Sequence, residues 1–140
     1  MVDKGLVKHR LAMIADYCIE LEKLRQLPKG EFLDKRNAAA TESFLRRSLE
    51  AVFDIGRHLL ARSGGYDLAK EYKSIARGLG EKGIIDHRLS ETLVKMAGYR
   101  NRLVHLYHQV SEEELYSIVQ SDLADIKDFL KQVTDYLRRI

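Results

Sequence analysis

The chain has 140 residues, which suits a single domain with a hydrophobic core of its own. Hydrophobic residues make up 45% and charged residues 32%, a balance that excludes an intrinsically disordered chain. The net charge of +3 permits a nucleic-acid partner without requiring one. No apolar run is long enough to span a bilayer, and the first residues lack the apolar region of a signal peptide. We therefore expect a cytoplasmic protein with no membrane association.

The first predicted helix runs from Lys4 to Gln26. Its apolar residues recur at spacings of three and four, the pattern of one helical face: Val7, Leu11, Ile14, Cys18 and Leu21. Pro28 and Gly30 end this helix, and a short helical turn is expected around Glu31 to Lys35. Cys18 is the only cysteine and lies on the apolar stripe, so we interpret it as a packed thiol in a reducing compartment.

The second predicted helix runs from about Ala38 to Arg62. Its stripe contains a glycine among larger residues: Leu45, Leu49, Val52, Gly56 and Leu59. Glycine in a helix interior costs about 1 kcal/mol relative to alanine. A close approach of another helix at Gly56 would explain why it is there. Ser63 and the two glycines after it then stop the helix.

Three further helices are predicted in the second half of the chain. The third spans roughly Leu68 to Leu79, the fourth begins near Asp86, and the fifth opens at Ser111. There the serine can cap the helix while Glu114 reaches back to the cap, and the acidic first turn suits the positive helix end. Short connections between long amphipathic helices predict an all-α, antiparallel bundle of four to five helices. Residues 1–140 form one domain in this interpretation.

Arg100 interrupts the apolar stripe of the fourth helix. Steps of four and three along that helix give Leu89, Leu93, Met96, Arg100, Leu103 and Tyr107. Removing a guanidinium from water costs several kcal/mol unless partners compensate. Arg100 must therefore pair with a carboxylate, such as Glu50 or Asp54, or face a cleft or an interface. In a groove, a planar and permanently charged arginine is suited to binding phosphate.

The residues after Arg100 favour a functional role. Asn101 adds an amide, His105 can exchange a proton near neutral pH, and Tyr107 lies on the helical face of Arg100 two turns later. Five residues of regular helix rotate by about 140° beyond one turn, so Arg100 and His105 do not share a face. They can converge if the helix ends or distorts near Val104, or if a second subunit supplies one of them.

Other catalytic patterns are absent from the sequence. The remaining histidines are too scattered for metal-ligand spacing and are assigned surface or structural roles: His9, His58, His87 and His108. No Gly-rich phosphate loop, nucleophile elbow or His-Glu-x-x-His motif is present. We expect no metal and no cofactor, and we disfavour metal-dependent chemistry and nucleotide-driven motors.

The spacing Arg100-x4-His105-x-Tyr107 resembles the motif of HepT-like proteins in the HEPN superfamily. Further segments are similar to that family's signatures in the same order: Glu50–Gly56, Gly83–Ile85 and Met96–Asn101. The resemblance covers nearly the whole chain. It implies a dimerising, HEPN-like helical toxin that cuts RNA without a metal. It further implies a homodimer with two motifs lining a shared cleft, and a minimal nucleotidyltransferase antitoxin as partner.

The resemblance also implies roles for individual residues. Arg100 and His105 would be catalytic, Asn101 would support the site, and Tyr107 would receive adenylyl groups from ATP and so neutralise the toxin. Glu50 and Asp54 are lesser candidates for polar residues facing the motif. The expected function is therefore an endoribonuclease toxin of a type II toxin–antitoxin system, with RNA as substrate.

Two other functions stay open at this point. The first is a non-catalytic dimeric module that partners a nucleotidyltransferase and presents Tyr107 as its modification substrate; Arg100 and His105 would then orient the nucleotide's phosphates. The second is a dimeric scaffold in which Arg100 forms a structural ion pair. A site in which Glu50 or Asp54 saturates Arg100, with no open groove, would favour the scaffold.

Overall fold

The computed structural model describes residues 1–64, 71–104 and 110–140. All regular secondary structure in these ranges is helical. The helices are α1 (Lys4–Arg25), α2 (Lys29–Phe32), α3 (Lys35–Arg62), α4 (Tyr72–Glu81), α5 (His87–Val104) and α6 (Glu112–Arg139). The predicted all-α architecture is thus confirmed. No helix in the described part of the chain is both long and apolar enough to cross a membrane.

Side-chain caps mark where several helices begin. Asp3 accepts a hydrogen bond from the Leu6 N–H at 3.0 Å, and Ser111 accepts one from the Glu114 N–H at 3.1 Å. Each cap satisfies a backbone donor that the first helical turn leaves without an intrahelical partner. The predicted start of the last helix at Ser111 is confirmed. The Glu114 side chain, however, does not close the predicted capping box, because its carboxylate is held by Arg102 on α5.

The short helical turn is displaced from its predicted position. It was expected around Glu31 to Lys35, whereas α2 runs from Lys29 to Phe32. Pro28 sets this start, since its carbonyl accepts from the N–H groups of Glu31 and Phe32 at 2.9 Å each. Asp34 then accepts from the Arg36 N–H at 2.9 Å and opens α3 at Lys35, three residues before the predicted start. The predicted third helix started near Leu68, a position outside the described residues.

The core lies between the long helices. α1 packs against α3 and α6, and α4 packs against α5 and α3. The largest buried side chains come from most of the helices and include Phe32, Phe53, Phe129, Ile14, Leu21, Leu45, Leu49 and Leu79. The stripe predicted for α1 is buried throughout, Cys18 included.

Two close approaches hold α4 against its neighbours. A Cβ added at Gly56 on α3 would lie 2.6 Å from Ile75 Cγ2 of α4, so the predicted close approach at Gly56 is confirmed. At Gly80 of α4, an added Cβ would lie 2.6 Å from the Ser90 Oγ of α5. The same hydroxyl donates to the Ala76 carbonyl at 2.8 Å. These contacts fix the position of the first residue of α4, Tyr72, between α3 and α5.

Candidate active site

Arg100 lies one turn before the end of the described part of α5. Its side chain is 16% exposed, and the stripe residues before it are fully buried: Leu89, Leu93 and Met96. The structure therefore places the guanidinium at the edge of the core, where the sequence pattern predicted an out-of-place charge. Partial burial strengthens the interaction of such a group with any anion, since less water screens it.

The closest contact of the Arg100 guanidinium is an aromatic ring. Its Cζ lies 4.1 Å from the centroid of the Tyr72 ring at the start of α4. This is a cation–π arrangement, in which the positive group lies over the negative face of the ring. The Arg100 Nε is buried and has no hydrogen-bond partner among the described residues.

Polar contacts to Arg100 are longer. An Nη of Arg100 lies 4.0 Å from the Glu50 Oε1, and the other donates to the Asn101 Oδ1 at 3.3 Å. The Glu50 Oε1 also lies 3.8 Å from the Arg46 Nη1, so this carboxylate is shared between two arginines. Its side chain is 38% exposed. Of the two predicted carboxylates, Glu50 approaches Arg100, and it does so at the limit of ion-pair distance.

Asp54 has a different partner. It contacts the Arg57 Nη1 at 3.2 Å, one turn along α3. Among the described residues, Arg100 thus has one long ion pair, to Glu50, and the two predicted carboxylates do not saturate it. The observation that would favour the scaffold interpretation, saturation of Arg100 by Glu50 or Asp54, is therefore not met. Asn101 contacts Arg100 through its Oδ1, and its supporting role stays a prediction.

His105 and Tyr107 lie outside the described residues. Their convergence with Arg100, and the helix end expected near Val104, therefore stay predictions. The described residues on either side of 105–109 are joined by a bidentate pair between Arg102 and Glu114, with one Nη–Oε distance of 2.7 Å. The hydrogen bonds from Arg102 lower the pKa of the Glu114 carboxyl below its ordinary value.

Two other titratable groups have structural roles. Cys18 is a free, buried thiol whose pKa burial raises to about 11, which keeps it protonated and unreactive at neutral pH. The predicted packed thiol is confirmed. His58 accepts a hydrogen bond from the Asp3 N–H at 3.1 Å. Burial, and then the nearby Arg62, lower the pKa of His58 below its ordinary value. The described residues contain no cluster of three or more His, Cys, Asp or Glu that could hold a metal ion.

Sequence reasoning missed Tyr72. It precedes Arg100 by 28 positions and belongs to another helix, so no spacing rule within one helix connects them. The prediction for its segment began at Leu68 and assigned no role to any aromatic residue. The only sequence signal was indirect: an arginine on an apolar helical stripe needs other groups to compensate for its removal from water.

The helical bundle matches solved structures closely enough to define the class of fold. The fold is that of the HEPN toxins: it superimposes on the tri-AMPylated Shewanella oneidensis HEPN toxin in complex with MNT antitoxin with a TM-score of 0.81. This match has 23% identity and covers 96% of this chain and 99% of that chain. It also superimposes on YutE from Bacillus subtilis, a cytosolic protein of unknown function, with a TM-score of 0.82 and 19% identity. There the coverage is 99% of this chain and 92% of the other.

Sequence comparison then identifies the family. Residues 14–133 match the family model described as ribonuclease HepT-like. A protein of Archaeoglobus fulgidus, named provisionally as an RNase, is 38% identical over 96 residues, which are 69% of this chain and 71% of that protein. The tRNA nuclease HepT of Aphanizomenon flos-aquae is 23% identical over 97% of this chain and 92% of its own length. The chain belongs to the HepT-like ribonuclease family.

Proposed function

We propose that this protein is a metal-independent endoribonuclease that acts as the toxin of a toxin–antitoxin pair. The observation that carries the proposal is the state of Arg100: a mostly buried guanidinium that lies over a ring and that has, among the described residues, one ion pair, 4.0 Å long. A phosphate that binds there can form short, charge-assisted hydrogen bonds, which are stronger than the long contact to Glu50. Membership of a ribonuclease family supports RNA as the source of that phosphate.

The proposed reaction is transesterification within the RNA. His105 removes the proton from a ribose 2′-OH, whose oxygen attacks the adjacent phosphorus. The bond to the 5′-oxygen of the next nucleotide then breaks, and that oxygen takes up a proton. The ordinary pKa of histidine, about 6.5, suits proton transfer in either direction. Arg100 stabilises the extra negative charge of the pentacoordinate phosphate. The products are a 2′,3′-cyclic phosphate and a free 5′-hydroxyl, and DNA, which lacks the nucleophile, is not cut.

In this proposal Asn101 supports the site and Tyr107 regulates it. A minimal nucleotidyltransferase transfers adenylyl groups from ATP to the Tyr107 hydroxyl. The added phosphodiester and base then repel and block RNA. Support comes from the related fold in the Shewanella oneidensis HEPN toxin, which is described as tri-AMPylated and in complex with an MNT antitoxin. We further propose that the protein acts as a homodimer in the cytoplasm.

The proposal is tested with purified protein whose Tyr107 is shown by intact mass to be unmodified. The unmodified protein is expected to cleave RNA in EDTA and to leave 2′,3′-cyclic phosphate ends. Replacing the ribose at a mapped cleavage site by 2′-deoxyribose should abolish the cut there. Arg100→Ala and His105→Ala should each lower kcat/KM by about a hundredfold or more, the usual range for loss of a preorganised donor or of a general base.

Arg88→Ala is the matched control. Arg88 lies at the other end of α5 and binds Asp125 and Asp128 on α6, at 3.2 and 3.0 Å. Its removal deletes the same side chain from the same helix and should leave cleavage unchanged. Cleavage by the Arg100→Ala/His105→Ala protein at the parental rate would overturn the proposal. If the unmodified protein neither cleaves RNA nor stops growth, while the nucleotidyltransferase and ATP still label Tyr107, it is a binding module.

A further inference from the structure

We infer that Tyr72 is a positioning residue for Arg100, and that its ring sets the plane in which the guanidinium meets an RNA phosphate. The inference rests on the proposed function and adds a residue to it. Tyr72 lies on α4, outside the Arg100–Tyr107 motif. It therefore belongs to neither of the helices that carry Glu50 and Arg100, which are α3 and α5. It is the first residue of α4.

The Arg100 guanidinium lies over the Tyr72 ring, with its Cζ 4.1 Å from the ring centroid, which is well inside the distance range of a cation–π contact. A ring in this position limits how the guanidinium can turn and leaves its Nη donors able to bind an anion. The Arg100 Nε, buried and without a hydrogen-bond partner among the described residues, is tolerable beside the electron-rich face of a ring.

The Tyr72 ring is itself held rigidly. It packs edge-on against the Phe53 ring, with centroids 5.2 Å apart and planes at 65°, and Phe53 is fully buried in α3. One turn further along α4, Ile75 contacts Gly56 of α3 so closely that a Cβ there would lie 2.6 Å away. Because the Tyr72 ring is fixed against the core, it restricts the orientation of the Arg100 side chain that lies over it.

The polar contacts of Arg100 are too long to set that orientation. The Asn101 contact is 3.3 Å and the Glu50 contact 4.0 Å. Glu50, moreover, is the carboxylate that competes with an incoming phosphate for the same donors. Without the ring, the guanidinium is free to turn toward Glu50 and form a short ion pair. The ring therefore keeps the arginine available for phosphate.

The test compares Tyr72→Phe, which keeps the ring, with Tyr72→Leu and Tyr72→Met, which remove it and retain bulk. Tyr116 offers a closely matched control. Its ring packs edge-on against the buried Phe32 at 5.1 Å and 71°, with the Lys29 Nζ 5.4 Å from its centroid. Tyr116→Leu thus removes the same kind of contact and should lower Tm by a similar amount without touching Arg100.

Three measurements are made on full-length, unmodified protein. The first is kcat/KM for RNA cleavage, which Tyr72→Leu and Tyr72→Met should lower about tenfold and Tyr72→Phe should preserve. The second is the affinity for a 2′-O-methyl RNA, which cannot be cleaved, in the parent and in the Arg100→Lys background. The third is the NMR resonance of the Arg100 Nε–H, which is assigned by its loss in Arg100→Lys. The ring-current shift of this resonance should persist in Tyr72→Phe and be lost in Tyr72→Leu and Tyr72→Met.

The inference is supported if cleavage and RNA affinity fall in Tyr72→Leu, recover in Tyr72→Phe, and no longer respond to Tyr72 once Arg100 is lysine. Wild-type cleavage by Tyr72→Leu and Tyr72→Met would overturn it and leave the proposed function intact. If Tyr116→Leu loses as much cleavage activity and RNA affinity as Tyr72→Leu, the inference is overturned, because Tyr72 then contributes only to stability. If the parent itself cuts no RNA, the proposed function fails. The inference then depends on whether Tyr72→Leu weakens 2′-O-methyl RNA binding in the parent only.

Discussion

Asp122 on α6 is a carboxyl group whose folded surroundings disfavour its charge. Burial, followed by the neighbouring negative charge of Asp125, raises the pKa of Asp122 to about 6, and Lys95 only partly offsets this. A pKa raised above the unfolded value means that the folded state binds the proton more tightly. The associated stability is fully present below the unfolded pKa of about 4 and is lost as the pH rises through about 6. At neutral pH the charged Asp122 therefore destabilises the bundle.

Asp122→Asn is expected to stabilise the protein at neutral pH. The amide carries no charge to desolvate, and its oxygen can still accept the hydrogen bond that Ser121 Oγ donates to Asp122 Oδ1 at 3.1 Å. We expect a gain of about 1 kcal/mol in unfolding free energy at pH 7.5, after discounting for solvent screening. Thermal melts at several pH values should show the gain shrinking below pH 6 and vanishing near pH 4.

Asp135→Asn is the control for this prediction, because Asp135 lies on the same helix but is 46% exposed and pairs with Arg138 at 3.6 Å. Its effect on the free energy of unfolding should stay within about a few tenths of a kcal/mol, as for most surface pairs. A gain in Asp122→Asn that is the same at pH 4 and pH 7.5 would show that the desolvated charge is not its cause.

At the residue scale, Arg100 also shows how far a sequence pattern can reach. A helical period of 3.6 assigns each side chain to a face of its own helix, so the pattern identified Arg100 as a charge at the edge of the core. It could not identify Tyr72, because that contact depends on how α4 packs across α3 and α5. For the same reason it offered Glu50 and Asp54 as equal partners, whereas Asp54 binds Arg57.

At the scale of the elements, α4 is the helix that connects the core to the candidate site. It is only 10 residues long, yet it contacts α3 through Gly56 and α5 through Gly80. The glycine at position 56 allows the backbone of α3 to approach Ile75 and Leu79. An added Cβ would lie 3.1 Å from the Leu79 Cδ1 as well as 2.6 Å from the Ile75 methyl.

Gly56→Ala is expected to destabilise the bundle although alanine is the better helix former. The propensity gain of about 1 kcal/mol is outweighed by overpacking against a β-branched side chain, which costs about 1 to 3 kcal/mol. We expect a net loss of about 1 kcal/mol in chemical denaturation, with a larger loss for Gly56→Val. Gly30→Ala is the control, since a Cβ at Gly30 meets no atom within 4 Å. Equal stability of Gly56→Ala and the parent would show that α4 moves away at little cost.

Helix ends were predictable where a recognised cap is present. Ser111 caps α6 as its side chain suggested, and the first helix ends at Arg25, one residue before the predicted end. The start of α3 was placed too late because the aspartate cap at Asp34 was not recognised. The Glu114 side chain departs from the capping box because a bidentate guanidinium is a stronger partner for a carboxylate than a backbone N–H. The Glu114 contact therefore depends on how α5 packs beside α6, which no pattern within one helix contains.

For the whole molecule, the proposed reaction requires Arg100 and His105 to reach the same phosphate. On a regular helix they differ by about 140° in direction, so one helix cannot aim both into one cleft. A two-fold dimer resolves this if the arginine of one chain faces the histidine of the other. Isologous contacts place each residue pair twice, so two equivalent sites form along the shared cleft. The proposed homodimer would then be a requirement of the chemistry as well as an assembly.

We predict that subunits inactivated at different positions complement each other. Arg100→Ala and His105→Ala chains are co-expressed with two different affinity tags, and sequential purification isolates the heterodimer. In a cleft shared between chains, one of its two sites combines an intact Arg100 with an intact His105, so about half of the parental RNase activity should return. Each variant homodimer, carrying the same tags, is the control and should stay inactive. A heterodimer as inactive as both homodimers would place the complete site within one chain, and elution of the parent as a monomer would contradict the dimer itself.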